Sequence, residues 1–284
     1  MLSESELTVW MQMEDKSDHI LVIEAGKSHS RYLRDLWLYR EHFLILAWRD
    51  IIVRYKQTII GIAWSIIRPL LGMIVFTVVF GKLPSEGVPY PLMVYAGMLM
   101  WQFFSSTVSS GSESLLGNSN LISKVYFPRL IIPSTSMTVS LTDFLISAVV
   151  FIPLFFWYGT IPSWKIVFLP CFILLTAILS LGVTYFISSL NVKYRDFRYV
   201  IPFALQVGMY ISPVGFTTAI VPERWQLLYS LNPLVGIIDG VRWSLFGTPL
   251  NLFSLLISIA ISLFFLLCGY FMFRRMEREF ADFI

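Results

Sequence analysis

Six long apolar stretches follow residue 57, joined by short polar links, and they leave few folds open to this chain. They run Thr58 to Phe80, Tyr90 to Ser112, Ile131 to Tyr158, Ile166 to Leu190, Val200 to Val221 and Leu250 to Phe273. A helix that crosses a bilayer needs about 20 largely apolar residues, and each stretch meets that length. Between them they carry two charges, Arg68 and Asp143. None alternates polar and apolar at every second residue, as the strands of a membrane barrel do. Composition agrees: 14% of the 284 residues are charged, against about 25% in soluble domains. Too few charges remain to coat a soluble surface. The expected fold is an all-α membrane protein with six transmembrane helices.

The chain ahead of these stretches is of another kind. Residues 1–30 read as a polar cytoplasmic tail, without the basic segment and apolar core of a secretory signal peptide. Gly26, Lys27 and Ser28 resemble the end of a phosphate-binding P-loop, but that loop needs a glycine where Leu21 stands. Residues 31–57 read as one amphipathic helix, with Leu33, Leu36, Trp37, Phe43, Leu44, Ala47, Trp48, Ile51 and Ile52 at three- and four-residue spacing. Arg31, Arg34, Arg40, Arg49, Arg54 and Lys56 give it a basic side, with Asp50 and Tyr55 among them. Such a helix suits a membrane interface. A packed helix of a soluble subdomain is the alternative.

Residues 222–249 are too apolar for a loop and too interrupted for a clean span. Pro233 divides them into two short segments, which predicts re-entrant or interfacial helices at the outer face before the last span. A seventh span is the alternative. Residues 274–284 read as a cytoplasmic tail. With six spans, sixteen Lys and Arg fall on the side of both termini and four on the other, namely Lys82, Lys165, Arg224 and Arg242. That bias predicts cytoplasmic termini.

No set of residues for catalysis or metal binding is visible. The apolar stretches hold one acid and no histidine, and the two cysteines, Cys171 and Cys268, read as small core residues. Arg68 reads either as a channel-facing cation or as a residue that snorkels or pairs with Asp143. Pro69 should free a backbone carbonyl one turn earlier. Trp101 and Phe104 are aromatic candidates for a passage. Two cytoplasmic loops look like docking elements. One runs from Asn118 to Arg129, with Asn120, Leu121, Ile122, Lys124, Val125, Tyr126 and Phe127. The other runs from Asn191 to Arg198.

Five blocks, in order, resemble one family. They are RDIIVRYKQTIIGIAWSIIRPLL, SNLISKVYFPRLIIP, NVKYRDFRYVIPFALQ, Ser212-Pro213 and Asn232-Pro233. They resemble the ABC-2 permeases, specifically polysaccharide exporters of the O-antigen and teichoic-acid type, and the resemblance runs from about Tyr32 to Arg275. The resemblance implies a homodimeric permease in the bacterial cytoplasmic membrane, paired with two separate ATPase subunits that hold ATP and magnesium. The cargo would be a lipid-linked glycan, and nucleic acid is not among the expected partners. It implies that Asn118 to Arg129 form the coupling helix and that Pro213, Trp225, Asn232, Pro233 and Arg242 belong to an outer gate. An exporter of capsule or another ABC-2 cargo, or an ion-driven flippase without an ATPase, is the alternative.

Overall fold

The computed structural model of the protein describes residues 36–56, 61–81, 87–125, 127–194, 196–277 and 280. The expectations placed on residues 1–35, 57–60, 82–86, Tyr126, Arg195, 278–279 and 281–284 lie outside the described residues. The chain divides into two units, Met1–Leu38 and Tyr39–Ile284. Of the first, only residues 36–38 are described, and they are helical.

The second unit contains helices and turns, with no strand among the described residues. In order they are α1 (Arg40–Lys56), α2 (Gly61–Phe80), α3 (Tyr90–Gly117), α4 (Ser119–Lys124), α5 (Ile131–Ala148), α6 (Phe151–Tyr158), α7 (Leu169–Lys193), α8 (Phe197–Ile211), α9 (Glu223–Ser230), α10 (Pro233–Phe246) and α11 (Leu252–Met276). Short 3-10 turns cover Trp164–Phe168 and Thr218–Ile220.

Four helical runs are long and apolar enough to cross a membrane among the described residues: Gly61–Phe80, Ile131–Tyr158, Trp164–Lys193 and Leu252–Met276. The other two expected spans differ for identifiable reasons. Helix α3 has ample length, 28 residues, but its second half is rich in serine and ends past Glu113. Helix α8 has 15 residues and stops at Ile211. Ser212 is extended (φ −81°, ψ 153°), as the residue before a proline prefers. The apolar stretch beyond it continues as a turn rather than as helix.

Proline also divides the third stretch. Pro153 lacks an N–H, and its ring crowds the carbonyl of Val149 four residues back. The helix accordingly breaks at Val149 and Val150, between α5 and α6. Pro233 opens α10 at a position where its missing N–H costs nothing, and the Asn232 side chain caps that helix by accepting from the Leu234 N–H at 3.1 Å. The division of 222–249 into two helices follows from this.

Helix α7 is central. It packs most extensively against α11 and α3, and α3 packs in turn against α5. The α7–α11 contact is close because both helices present glycine there. A Cβ on Gly182 would lie 2.4 Å from the Leu266 backbone nitrogen, and one on Gly269 would lie 2.2 Å from the Gly182 carbonyl oxygen. Small residues allow such approach where lipid supplies no hydrophobic drive between helices. Serines and threonines on these helices return their hydroxyls to the preceding turn: Thr176 donates to the Phe172 carbonyl, Ser258 to Ser254 and Ser262 to Ser258. These three buried hydroxyls are thereby satisfied within the helices themselves.

The outer faces are apolar. Leu71, Ile74, Val75, Val78 and Val79 of α2 are exposed, as are Leu256, Leu263, Phe264, Leu267 and Phe271 of α11. Exposed apolar surface on this scale is what lipid or a partner subunit covers. Cys171 is exposed and Cys268 half-buried, so neither is the core residue that the sequence suggested; both are free thiols.

Candidate functional site

The acid of the apolar stretches is a meeting point for three helices. Asp143 lies on α5. Its Oδ2 pairs with the Arg54 guanidinium of α1 at 2.5 Å. Its Oδ1 accepts from the Tyr55 hydroxyl of α1 and from the Ser65 hydroxyl of α2, each at 2.6 Å. A carboxylate in this setting is retained only where charge and hydrogen bonds offset its desolvation, and Asp143 has both. Burial pushes the Tyr55 phenol up to about 12, with the hydrogen bond to Asp143 and its negative charge adding to the shift. Tyr55 therefore stays a neutral donor at physiological pH.

The same region answers where the carbonyl freed by Pro69 goes. Pro69 leaves the Ser65 carbonyl, four residues back, without its helical donor. The Ser147 hydroxyl of α5 donates to that oxygen at 2.6 Å and approaches the Asp143 carbonyl at 2.8 Å. The Ser147 carbonyl in turn accepts from the Tyr95 hydroxyl of α3 at 2.8 Å. Helices α1, α2, α3 and α5 are thus joined by one run of polar contacts within an apolar body.

Beside this run lies a cavity of about 610 Å³, walled by α2, α3, α5 and α8 with Arg54 of α1 at its margin. Arg68, Trp64, Trp101, Gln102 and Gln206 line it, together with seven serines. Arg68 is exposed, with its guanidinium 5.9 Å from the centroid of the Trp64 ring. It makes no ion pair among the described residues; Asp143 is held by Arg54 instead. The pairing of Arg68 with Asp143, offered by the sequence as one alternative, is not the arrangement found. Trp101 packs on α8, where a Cβ on Gly208 would come within 2.8 Å of the indole. Phe104 lies against Trp101, ring centroids 5.8 Å apart, and is not among the lining residues. Of the four passage candidates, Arg68, Trp101 and Asp143 therefore converge on one cavity. The serines and glutamines were missed. Their signal was the run of serines in the second half of α3, unusual in so apolar a chain.

The loop from Asn118 to Arg129 forms the short helix α4, tied down at both ends. Asn118 accepts from Arg49 of α1 at 3.1 Å, while Arg49 also pairs with Asp50 at 2.7 Å. The other Asp50 oxygen accepts from Thr135 of α5 at 2.8 Å. At the far end, Arg129 donates to the Glu277 backbone carbonyl at 2.9 Å, and its N–H reaches the Glu277 carboxylate at 3.3 Å. Arg274 holds the same carboxylate at 2.7 Å. Ile122 and Phe127 are buried, Leu121 is half-buried, and Asn120, Lys124 and Val125 are exposed. Lys56, at the end of α1, is exposed as well. The second loop is shorter than expected. Asn191, Val192 and Lys193 complete α7, and the Asn191 amide donates to the Ser112 carbonyl of α3 at 2.8 Å.

At the other end of the helices, Arg242 is 3% exposed in the side chain. It donates to the backbone carbonyls of Pro213 (2.6 Å), Phe216 (3.0 Å), Val214 (3.1 Å) and Met93 (3.3 Å). Asp239 lies 3.8 Å away and accepts from Thr218 at 2.8 Å. The Asn232 amide donates to the Ser212 hydroxyl at 3.0 Å. Arg242 therefore gathers the carbonyls of the turn that ends α8, and it joins α10 to that turn and to α3. Pro213, Asn232 and Arg242 come together; Pro233 starts α10, and Trp225 of α9 is half-exposed. Burial pushes the Tyr229 phenol up as well, and the negative charge of Asp239 adds to it.

The sequence profile described as ABC-2 type transporter matches residues 41–246. The chain is 26% identical over 215 residues, 75% of its length and 83% of the relative's, to the O-antigen export system permease protein RfbA of Myxococcus xanthus. It is 27% identical over 256 residues to the protein of that name from Klebsiella pneumoniae, covering 88% of this chain and 95% of the relative. The inner membrane transport permease YadH of Escherichia coli is 25% identical over 222 residues, 72% of this chain and 85% of the relative. The matched region takes in α1, the Asp143 cluster, the serine-lined cavity, α4 and the Arg242 clasp, and this membrane chain belongs to the ABC-2 type transporter family.

Proposed function

We propose that this chain is the membrane-spanning permease subunit of an ATP-driven exporter that moves a lipid-linked polysaccharide, such as O-antigen, across the bacterial cytoplasmic membrane. The observation that carries the reading is the cavity beside Asp143. It is lined by hydroxyls, amides, two tryptophans and one uncompensated cation inside an otherwise apolar body. Hydroxyls and amides exchange hydrogen bonds with a sugar, and flat aromatic faces give contact to the apolar side of a pyranose. The relatives named for O-antigen export favour the same cargo.

In this reading two copies enclose the passage and two separate ATPase subunits, holding ATP and magnesium, act on the cytoplasmic side. The chain crosses the membrane six times, with α3 and α8 as the second and fifth spans, and both termini are cytoplasmic. Helix α1 lies at the interface, a placement supported by its exposed Leu44, Ile45, Trp48 and Val53. Helices α9 and α10 dip into the outer face as a gate. Nucleotide binding draws the ATPases together, α4 and α1 carry the displacement, and the two copies part at α2 and α8.

Deletion of the gene, followed by staining of surface glycan, tests this. Loss of long-chain glycan from the surface with accumulation inside the cell is expected, reversed by the intact chain. Normal surface glycan would overturn the reading. Export that persists without any ATPase partner would favour an ion-driven flippase.

A further inference from the structure

Asp143 and Arg68 face the same cavity, yet Asp143 is engaged by a residue of a different helix. Its ion-pair partner, Arg54, lies on α1, and Arg54 also lines the cavity at 37% side-chain exposure. The Ser65 hydroxyl that bonds Asp143 lies on α2 one turn before Arg68. Three residues of helix amount to a rise of about 4.5 Å, and residues three apart share a face. An arginine side chain spans more than that rise. Arg68 can therefore reach Asp143 by a change of rotamer, once Arg54 withdraws.

We infer that Asp143 is a positioning residue with two alternative cationic partners, Arg54 and Arg68, and that their exchange couples the position of α1 to the charge displayed in the cavity. With Arg54 in place, Asp143 is neutralised from outside and Arg68 presents its positive charge to the cavity. When α1 moves away, Asp143 passes to Arg68 and that charge is withdrawn. The inference rests on the proposed function, since it assumes that α1 moves with the ATPase. The arrangement suits such exchange because one carboxylate neutralises only one arginine at a time, and leaving the carboxylate itself unpaired is costly in either state. Ser65 of α2 holds Asp143 in orientation through Oδ1 in both states, Tyr55 adding its bond only while α1 is docked, and Oδ2 is left for whichever arginine is near.

The test uses the full chain assembled with its ATPase. In Asp143→Asn the amide oxygen still accepts from Tyr55 and Ser65, Arg54 loses its counter-charge at some cost in stability, and no charge is exchanged. Surface glycan exported per nucleotide hydrolysed should fall at least tenfold. A purely structural tie would lower thermal midpoint, hydrolysis and export together. The charge swap Arg54→Asp with Asp143→Arg is the second arm. It restores the ion pair but gives Arg68 a like-charged neighbour. The thermal midpoint should return to within a few degrees of wild type while export stays lost. Export at the wild-type level in either variant overturns the inference. Should the intact chain itself fail to restore glycan to the deletion strain, the proposed function falls instead.

Discussion

The hydroxyl of Ser147 donates to the carbonyl oxygen of Ser65 at 2.6 Å, and it does so because Pro69 cannot. A proline within a membrane helix is tolerated when a neighbouring helix supplies the missing donor. Here α5 supplies it, and the same hydroxyl bonds within its own helix. Ser147→Ala leaves the Ser65 oxygen without this donor and should cost about 1–3 kcal/mol. In a Pro69→Ala background the backbone N–H of residue 69 returns, and the cost of Ser147→Ala should fall well below 1 kcal/mol by the same reasoning. A double-mutant cycle on thermal unfolding in nanodiscs measures the difference. Equal costs in both backgrounds would show that the two residues act independently.

Much of this arrangement was legible in the chain, and what was not has a common cause. The position of Pro69 predicts a freed carbonyl, Pro233 predicts two helices in residues 222–249, and the apolar stretches predict the helices around them. The partner of Asp143 could not be read. Sequence places one acid and one arginine in spans and offers their pairing as one alternative, but Arg54 belongs to a helix outside the spans and joins Asp143 only through the packing of α1 on α5. Arg242 was read as a gate residue, and the structure gives it four backbone carbonyls to hold. Local pattern gives element type; which side chains meet across 80 residues or more depends on packing. The loop from Asn118 to Arg129 shows the same limit. Its helix was expected, whereas the burial of Ile122 and Phe127 and the tie from Arg129 to Glu277 were not.

The Tyr55 phenol gives a pH signature. Its pKa is raised from 10.0 to about 12 in the folded chain. A neutral phenol held by burial contributes stability below its unfolded pKa and loses that contribution as pH rises through the folded value. The difference in stability between wild type and Tyr55→Phe should be constant from about pH 6 to pH 9 and shrink from about pH 10 upward. A difference already changing between about pH 7 and pH 8 would show that the phenol does not set it.

The α7–α11 crossing predicts a steric failure. Gly182→Val places a Cβ against backbone, 2.4 Å from Leu266 N, where no side-chain rotation relieves it. Destabilisation of about 1–3 kcal/mol or more is expected for such overpacking, seen as a lower thermal midpoint and reduced yield. Gly117→Val, where a Cβ meets nothing within 4 Å, is the control and should leave the midpoint within a few degrees.

In the loop from Asn118 to Arg129, burial separates two roles. Lys124 and Val125 are exposed, whereas Phe127 is packed inside. Alanine at Lys124 and Val125 together should weaken capture of the ATPase several-fold without moving the thermal midpoint. Phe127→Ala should lower the midpoint, costing about 3–5 kcal/mol as large aromatic deletions do. Affinity capture alongside unfolding measures both. A midpoint change in the exposed pair, or none in Phe127→Ala, would reverse the assignment.

Arg68 predicts that stability and function move in opposite directions. A charged residue at the centre of a span costs about 2.5–3.5 kcal/mol on insertion scales. Arg68 is exposed in its cavity and makes no ion pair among the described residues. Arg68→Leu should therefore raise the thermal midpoint or leave it unchanged, while surface glycan falls at least tenfold. Arg68→Lys keeps the charge but loses the planar contact with Trp64, which is 5.9 Å from the guanidinium. It should retain part of the export. If Arg68→Leu exports normally, the cavity does not use its cation; if it unfolds, Arg68 serves the fold through contacts with chain or solvent, and the residue is structural after all.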